Sequence, residues 1–271
     1  MITITEKEFK QLSEYIKINY GIHLKIEKMA LVTGRLHNVL IQAGFKNFTD
    51  YYNYVVSDKT GEAVTTLMDK ITTNHTFFMR EANHFYYFKD NVLPYLTSTV
   101  KDKDLRIWCA ASSTGEEPYT LAMILDEYFG MNKIWWDTKV LATDISEKVL
   151  EIAKNAVYSN ERIASLPAHW RAKYFNKINN ENSVLIDKIR NEVIYRKFNL
   201  MEEVFPFRKT FHTIFCRNVM IYFDNETKIR LVNKLYDHME YGGYLFIGHS
   251  ESLNRETTRF KYVMPSVYQK I

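Results

Sequence analysis

The chain has 271 residues, 46% hydrophobic and 25% charged, with a formal net charge of +4; this is ordinary globular composition, long enough for one large or two modest domains, and it excludes an intrinsically disordered chain. Two cysteines, Cys109 and Cys216, exclude a disulfide framework and a four-cysteine zinc site, and no apolar run approaches the ~18 residues of a membrane span. The first ten residues carry Glu6, Lys7 and Glu8 without an apolar stretch, unlike a secretory signal, so a cytoplasmic protein is expected.

Residues 1 to about 72 read as helices. Phe9, Leu12, Tyr15, Ile16 and Ile18 recur at mostly helical spacing, with Gly21 as the stop. Leu31, Leu36, Val39 and Leu40 predict a second helix ending before Gly44, and residues 48–56 and 63–71 predict two more. Residues 16–46 hold five basic residues against Glu27 alone, and residues 160–198 hold eight basic against four acidic. Such segments are either contact surfaces for an acidic macromolecule or ordinary solvated faces.

From Leu105 the pattern changes. Residues 105–111 form a short apolar run, followed by a turn and a helix from about Glu116 to Phe129, with Pro118 in its first turn and Gly130 at its exit. Residues 139–143 predict a second strand ending at Asp144, with Ser146 capping the next helix. Residues 211–216 predict a third strand, and Asp224 caps a helix over residues 225–239. Gly242-Gly243 turns into a strand over residues 244–247, and residues 262–270 supply a last one. This alternation predicts a parallel, doubly wound α/β sheet. Residues 160–198 read as an insertion subdomain in which residues 183–189 and 193–198 form a hairpin around a polar turn.

In a doubly wound sheet, ligands bind at the carboxyl ends of the strands. Ala110-Ala111-Ser112-Ser113-Thr114-Gly115-Glu116-Glu117 has small residues that admit a ligand to the backbone and an acidic pair that suits a positively charged guest, such as a sulfonium nucleoside. With one glycine it is not a dinucleotide fingerprint, and a helix start decorated with favourable carboxylates remains the alternative. Asp144 is placed either to accept bonds from ribose hydroxyls or to open the next helix. Arg217, Asn218 and Tyr222 close the third parallel strand, for ligand binding or for structure.

Together these segments resemble the CheR family of chemotaxis receptor methyltransferases. Four blocks carry the resemblance in order: Thr72-Thr73-Asn74-His75-Thr76-Phe77-Phe78-Met79-Arg80-Glu81; residues 108–119; residues 216–223; and Gly248-His249-Ser250-Glu251-Ser252. The resemblance runs from about Thr3 to Lys270 and implies a class I, Rossmann-like methyltransferase fold. That domain, residues 76–271, would follow an N-terminal all-α domain of residues 1–75 and carry a small antiparallel β insertion. It further implies S-adenosyl-L-methionine as methyl donor, S-adenosyl-L-homocysteine as product, and receptor glutamate carboxylates as acceptors. Asn74, Thr76 and Arg80 would reach the donor, Glu117 its amino acid portion and Asp144 its ribose. Asn199 and Leu200 would flank the adenine, and Arg217 and Asn218 would complete the pocket.

Arg80 and Tyr222 are the candidates for positioning the acceptor carboxylate, and a salt bridge from Arg80 to Glu81 or Glu117 is the structural alternative. His249 is read as structural, and His75 and His84 have no assigned role. Lys25, Lys28 and Arg35 share a helical face and are expected to meet the acidic methylation helices of a receptor. A monomer is expected, without metal, nucleic-acid substrate or membrane insertion. The alternatives are a nucleic-acid methyltransferase and a non-catalytic donor-binding module on the same fold. One branch of the family binds a receptor's C-terminal peptide on the edge of a glycine-bearing insertion hairpin. Residues 156–198 contain no glycine here, so no such tether is expected.

Overall fold

The computed structural model describes residues 2–72 and 74–271. Met1 and Thr73, the latter inside the first of the four sequence blocks, lie outside the described residues. Helices α1 (Glu6–Tyr20), α2 (Met29–Gln42), α3 (Phe48–Ser57) and α4 (Glu62–Ile71) form the N-terminal module. α1 opens on a capping box, in which Glu8 N donates to Thr5 Oγ1 at 3.3 Å while Thr5 N donates to Glu8 Oε2 at 2.9 Å. It closes on Gly21 in the left-handed region. Phe9, Leu12 and Ile16 share the buried stripe, whereas Ile18 falls off it and is exposed, as Leu31 is on α2. Residues 82–99 add α5 (Ala82–Tyr87), a π-helical turn (Phe88–Val92) and α6 (Leu93–Thr99), helical segments that the periodicity did not single out.

Among the described residues ten strands follow: β1 (Ile107–Cys109), β2 (Val140–Asp144), β3 (Val157–Ser159), β4 (Phe175–Lys177), β5 (Asn182–Leu185), β6 (Val193–Lys197), β7 (Phe211–Cys216), β8 (Met239–Ile247), β9 (Lys261–Met264) and β10 (Val267–Gln269). Interleaved are α7 (Glu116–Phe129), α8 (Glu147–Asn155), the short α9 (Asn160–Ile163), α10 (Ala168–Tyr174) and α11 (Asp187–Arg190), and α12 (Asn225–Asp237). The main sheet has the order β6-β2-β1-β7-β8-β10-β9.

The expectation of a wholly parallel sheet is corrected at one edge. β10 runs antiparallel to β8, and β9 antiparallel to β10. The predicted last strand is broken by Pro265 and by Ser266 at φ 63°, and such a tight reversal joins only antiparallel neighbours. β8 also starts before the glycine pair, which sits where its pairing with β7 shifts register.

The expected hairpin of residues 183–189 and 193–198 is also corrected. Residues 193–197 are β6, paired in parallel with β2 along its whole length. The small sheet is instead β3-β5-β4, and its hairpin joins β4 to β5. The turn between them is built by Asn179, whose side chain accepts from Glu181 N and Asn182 N at 2.9 and 2.7 Å. None of residues 178–181 has a positive φ, so the turn has no need of glycine.

Alternation along the central strands sorts their side chains into two apolar cores, one on each face. Ile107, Cys109, Phe215 and Phe246 join the core of α5–α7 and the small subdomain; Phe215 and Phe246 stack there with centroids 4.4 Å apart. Trp108, Ile214, Cys216, Leu245 and Ile247 face the opposite core, which is continuous with the stripes of α1–α4 and with α12. The helical module is thereby one layer of a shared core. Polar ties reinforce it: His23 N donates to Tyr222 O at 2.8 Å, Lys17 pairs with Asp224 at 2.8 Å, and Ser146 Oγ bonds Asp69.

Candidate active site

A cleft of about 460 Å³ lies between the helical module and the carboxyl ends of β1, β2 and β7. Asn74, Thr76, Arg80, Glu117, Asp144, Asn199, Leu200, Arg217, Asn218, Tyr222, Lys25, Lys28 and Arg35 all line it. Its volume is within the range of small-molecule sites, about 300–1,000 Å³.

The turn after β1 brings Ala110, Ala111, Ser112 and Ser113 to the wall. Gly115 holds φ 96°, and a Cβ there would stand 2.7 Å from Tyr195 Oη and 2.9 Å from Tyr158 Oη, so only glycine lets α7 start here. The helix then separates the two glutamates that the sequence reading took as a pair. Glu117 faces the cleft, but Glu116 is fully buried beneath it. Arg162 of α9 reaches Glu116 at 2.9 Å, and Thr114 Oγ1 donates to it at 2.7 Å. Successive helical positions point about 100° apart, which excludes both from one surface.

Asp144 closes β2 and accepts N–H bonds from Ser113 at 2.8 Å and Ser146 at 3.0 Å. Burial pushes its carboxyl upward, opposed by these backbone donors. Asn199 donates to Asn19 O at 2.8 Å and accepts from Met201 N at 3.0 Å, which holds its amide across the domain junction beside the buried Leu200.

Arg217 is the electrostatic hub. Its Nη1 lies 2.6 Å from Glu117 Oε2 and its Nη2 lies 2.9 Å from Glu81 Oε2. Burial raises the Glu117 carboxyl, and Arg217 only partly offsets that. Burial also acts upward on Glu81, yet the Arg217 charge and the bonds from Asn218 and His249 outweigh it and bring Glu81 down to about 2. Arg80 is not the bridging arginine that the structural alternative supposed. Its Nη1 donates to the His75 carbonyl at 2.6 Å, so the guanidinium is held along the cleft wall.

Sequence reasoning assigned no role to Glu251 or His84, and to Glu81 only the alternative one of a salt-bridge partner for Arg80. Glu81, at φ 57°, also accepts from Asn218 Nδ2 and His249 N, both at 3.1 Å. Glu251 accepts from Asn218 N at 2.9 Å and Ile221 N at 3.1 Å, pinning the loop after β7 with Asn218 at φ 57°. Both residues were inside quoted blocks, which was the available signal. His84 is fully buried; burial, then the Arg217 charge, lowers its pKa to about 3, so the ring is neutral. At the rim, Lys25 and Lys28 are exposed. Arg35 turns inward, with Nη1 2.7 Å from the Ile71 carbonyl at the end of α4.

A doubly wound sheet whose strand ends carry a carboxylate-lined cleft, fronted by an all-α module, is a class I S-adenosylmethionine methyltransferase architecture. Residues 7–72 match the family model for the all-alpha domain of CheR methyltransferases, and residues 74–268 match that for the CheR methyltransferase SAM binding domain. The chemotaxis protein methyltransferase of Borreliella burgdorferi is 42% identical, over 99% of this chain and 96% of that protein. A probable chemotaxis protein methyltransferase of Rhizobium etli is 35% identical over 87% and 89%, and the chemotaxis protein methyltransferase of Escherichia coli 32% over 98% and 92%. The chain belongs to the CheR methyltransferase family. No helix among the described residues is long and apolar enough to cross a membrane.

Proposed function

We propose that the protein transfers the methyl group of S-adenosylmethionine to glutamate side chains on the cytoplasmic helices of chemoreceptors, giving glutamate methyl esters. One observation carries this reading: an acidic pocket, Glu117 and Asp144, opens to a basic mouth of Lys25, Lys28 and Arg80 in the same cleft. The pocket suits a cationic donor with ribose hydroxyls, and the mouth suits an anionic acceptor. Glu117 takes the donor's amino group and Asp144 its ribose. Asn199 and Leu200 flank the adenine, and Asn74, Thr76, Arg217 and Asn218 shape the remaining wall.

The bound donor supplies a methyl group on a sulfonium sulfur; the new O–CH3 bond forms as the S–CH3 bond breaks, with its electron pair left on sulfur. The acceptor carboxylate ordinarily titrates far below neutral pH and is already ionised there, so no base is required. What the chain must provide is alignment and exclusion of water. Arg80 and Tyr222, both on the cleft wall, hold the acceptor carboxylate in this reading, and Lys25 and Lys28 draw its helix to the mouth.

The test is incubation with methyl-labelled S-adenosylmethionine and receptor-containing membranes. Base-labile label on receptor bands is expected. Label in RNA or DNA would instead establish a nucleic-acid methyltransferase, and donor binding without transfer a non-catalytic module.

A further inference from the structure

Glu81, His84 and His249 meet in one corner beside Arg217, brought together from the start of α5 and the loop after β8. One carboxylate oxygen and one nitrogen from each imidazole all lie within 4.8 Å of one another. The two rings meet edge to face with centroids 4.7 Å apart. His84 is fully buried, yet neither ring nitrogen makes a hydrogen bond of good geometry. Glu81 Oε2 stands 3.5 Å from its Nδ1, and the Pro265 carbonyl bears on the ring. Buried polar atoms are normally satisfied, so an unsatisfied buried imidazole asks for a partner. His249 is exposed, which opens the corner to solvent.

We propose that Glu81, His84 and His249 bind one divalent transition-metal ion of the zinc class, and that its occupancy weakens donor binding through Arg217. Two imidazoles and a carboxylate are the nitrogen and oxygen set that zinc takes. Ligand atoms about 2.1 Å from a tetrahedral centre stand roughly 3.4 Å apart, so side-chain rotations of modest size close the set. Ligating carboxylates are themselves hydrogen-bonded in such sites, and Glu81 already accepts from Asn218, His249 N and Arg217.

The local charge also favours a dication: Glu81, Glu117 and Glu251 surround the 216–218 turn, whose one cation is Arg217. The tie to the donor is Glu81 Oε2, shared between the corner and Arg217. A metal that draws on this oxygen loosens Arg217, which then leans on Glu117. The coupling rests on the reading of the cleft as a donor pocket; the metal site itself does not.

Zinc is titrated into the full chain against a chromophoric chelator. One equivalent is expected in the wild type, weakened by at least about tenfold in His249→Gln, because a ligand should cost no less than its outer-shell support. His169→Ala, an exposed histidine on α10, should leave that equivalent unchanged. His84→Asn is the second variant; because His84 is buried, the exposed His249 keeps the test decisive if that variant misfolds. Absence of a stoichiometric equivalent, or full-strength binding in folded His249→Gln, overturns the site. Calorimetry then reads the coupling. Saturating zinc should weaken S-adenosylhomocysteine, and saturating S-adenosylhomocysteine should weaken zinc by the same factor. Unchanged affinities overturn the coupling, whereas failure of S-adenosylhomocysteine to bind with or without zinc strikes the donor reading instead.

Discussion

Asp144 owes its position to two backbone donors, Ser113 N and Ser146 N, and its oxygens still have lone pairs for ligand hydroxyls. Asp144→Ala removes those bonds, worth about 1–3 kcal/mol, or about 5- to 150-fold in affinity. Calorimetry with S-adenosylhomocysteine checks this, and an unchanged dissociation constant refutes the ribose assignment. Glu81 makes a prediction of a different kind. Its folded pKa of about 2 lies below the ordinary 4.5, so the ionised form stabilises the fold above the unfolded pKa. That contribution disappears as pH falls through the folded value. Glu81→Gln should therefore unfold at lower urea than wild type at neutral pH, and the gap should close between about pH 4.5 and about pH 2. A gap that persists in acid would mean that packing, not ionisation, is what the side chain contributes.

The basic mouth divides its labour between elements. Arg35 caps the carbonyls at the end of α4, so its replacement would disturb the fold as well as docking. The exposed Lys25 and Lys28, in and just before the short 3₁₀ turn leading into α2, are the cleaner probes. Reversing both to Glu should cut receptor methylation while donor affinity stays constant. The wild-type rate should fall with added salt, since exposed charges are screened over about 8 Å at physiological ionic strength. A salt-insensitive rate would exclude electrostatic docking there. The small sheet makes its turn with Asn179 and without glycine. Removing the last residues of the cognate receptor should therefore leave the initial methylation rate nearly unchanged, and a drop of about tenfold would show a tether.

At the scale of the molecule, one apolar core joins α1–α4 to the sheet face of Trp108, Ile214 and Leu245. Each large side chain left exposed there forfeits about 1.5–3 kcal/mol, against a total stability of about 5–15 kcal/mol for a domain. A chain starting at residue 74 should therefore lose its cooperative thermal transition, read by calorimetry. If it melted cooperatively near the wild-type temperature, the helical module would be an independent domain.

Local chemistry was legible along the chain. Gly21 as the stop of α1, Ser146 and Asp224 as the caps of α8 and α12, and Pro118 in the first turn of α7 each express a short-range rule. The alternation of strand and helix after Leu105 also predicted the α/β class, because strand and helix periods differ wherever they occur. Pairing was another matter. Residues 193–197 have the same local pattern whether they close a hairpin or lie along β2, and only the packed sheet selects β2. Arg217 had several carboxylates to choose from in the sequence; folding gave it Glu81 and Glu117 and turned Glu116 toward Arg162. His84 and His249 come from opposite ends of the domain, and no spacing rule links them. Their meeting beside Glu81 is decided by β8 ending against α5, since side chains far apart in sequence become neighbours only through the contacts of the elements that carry them.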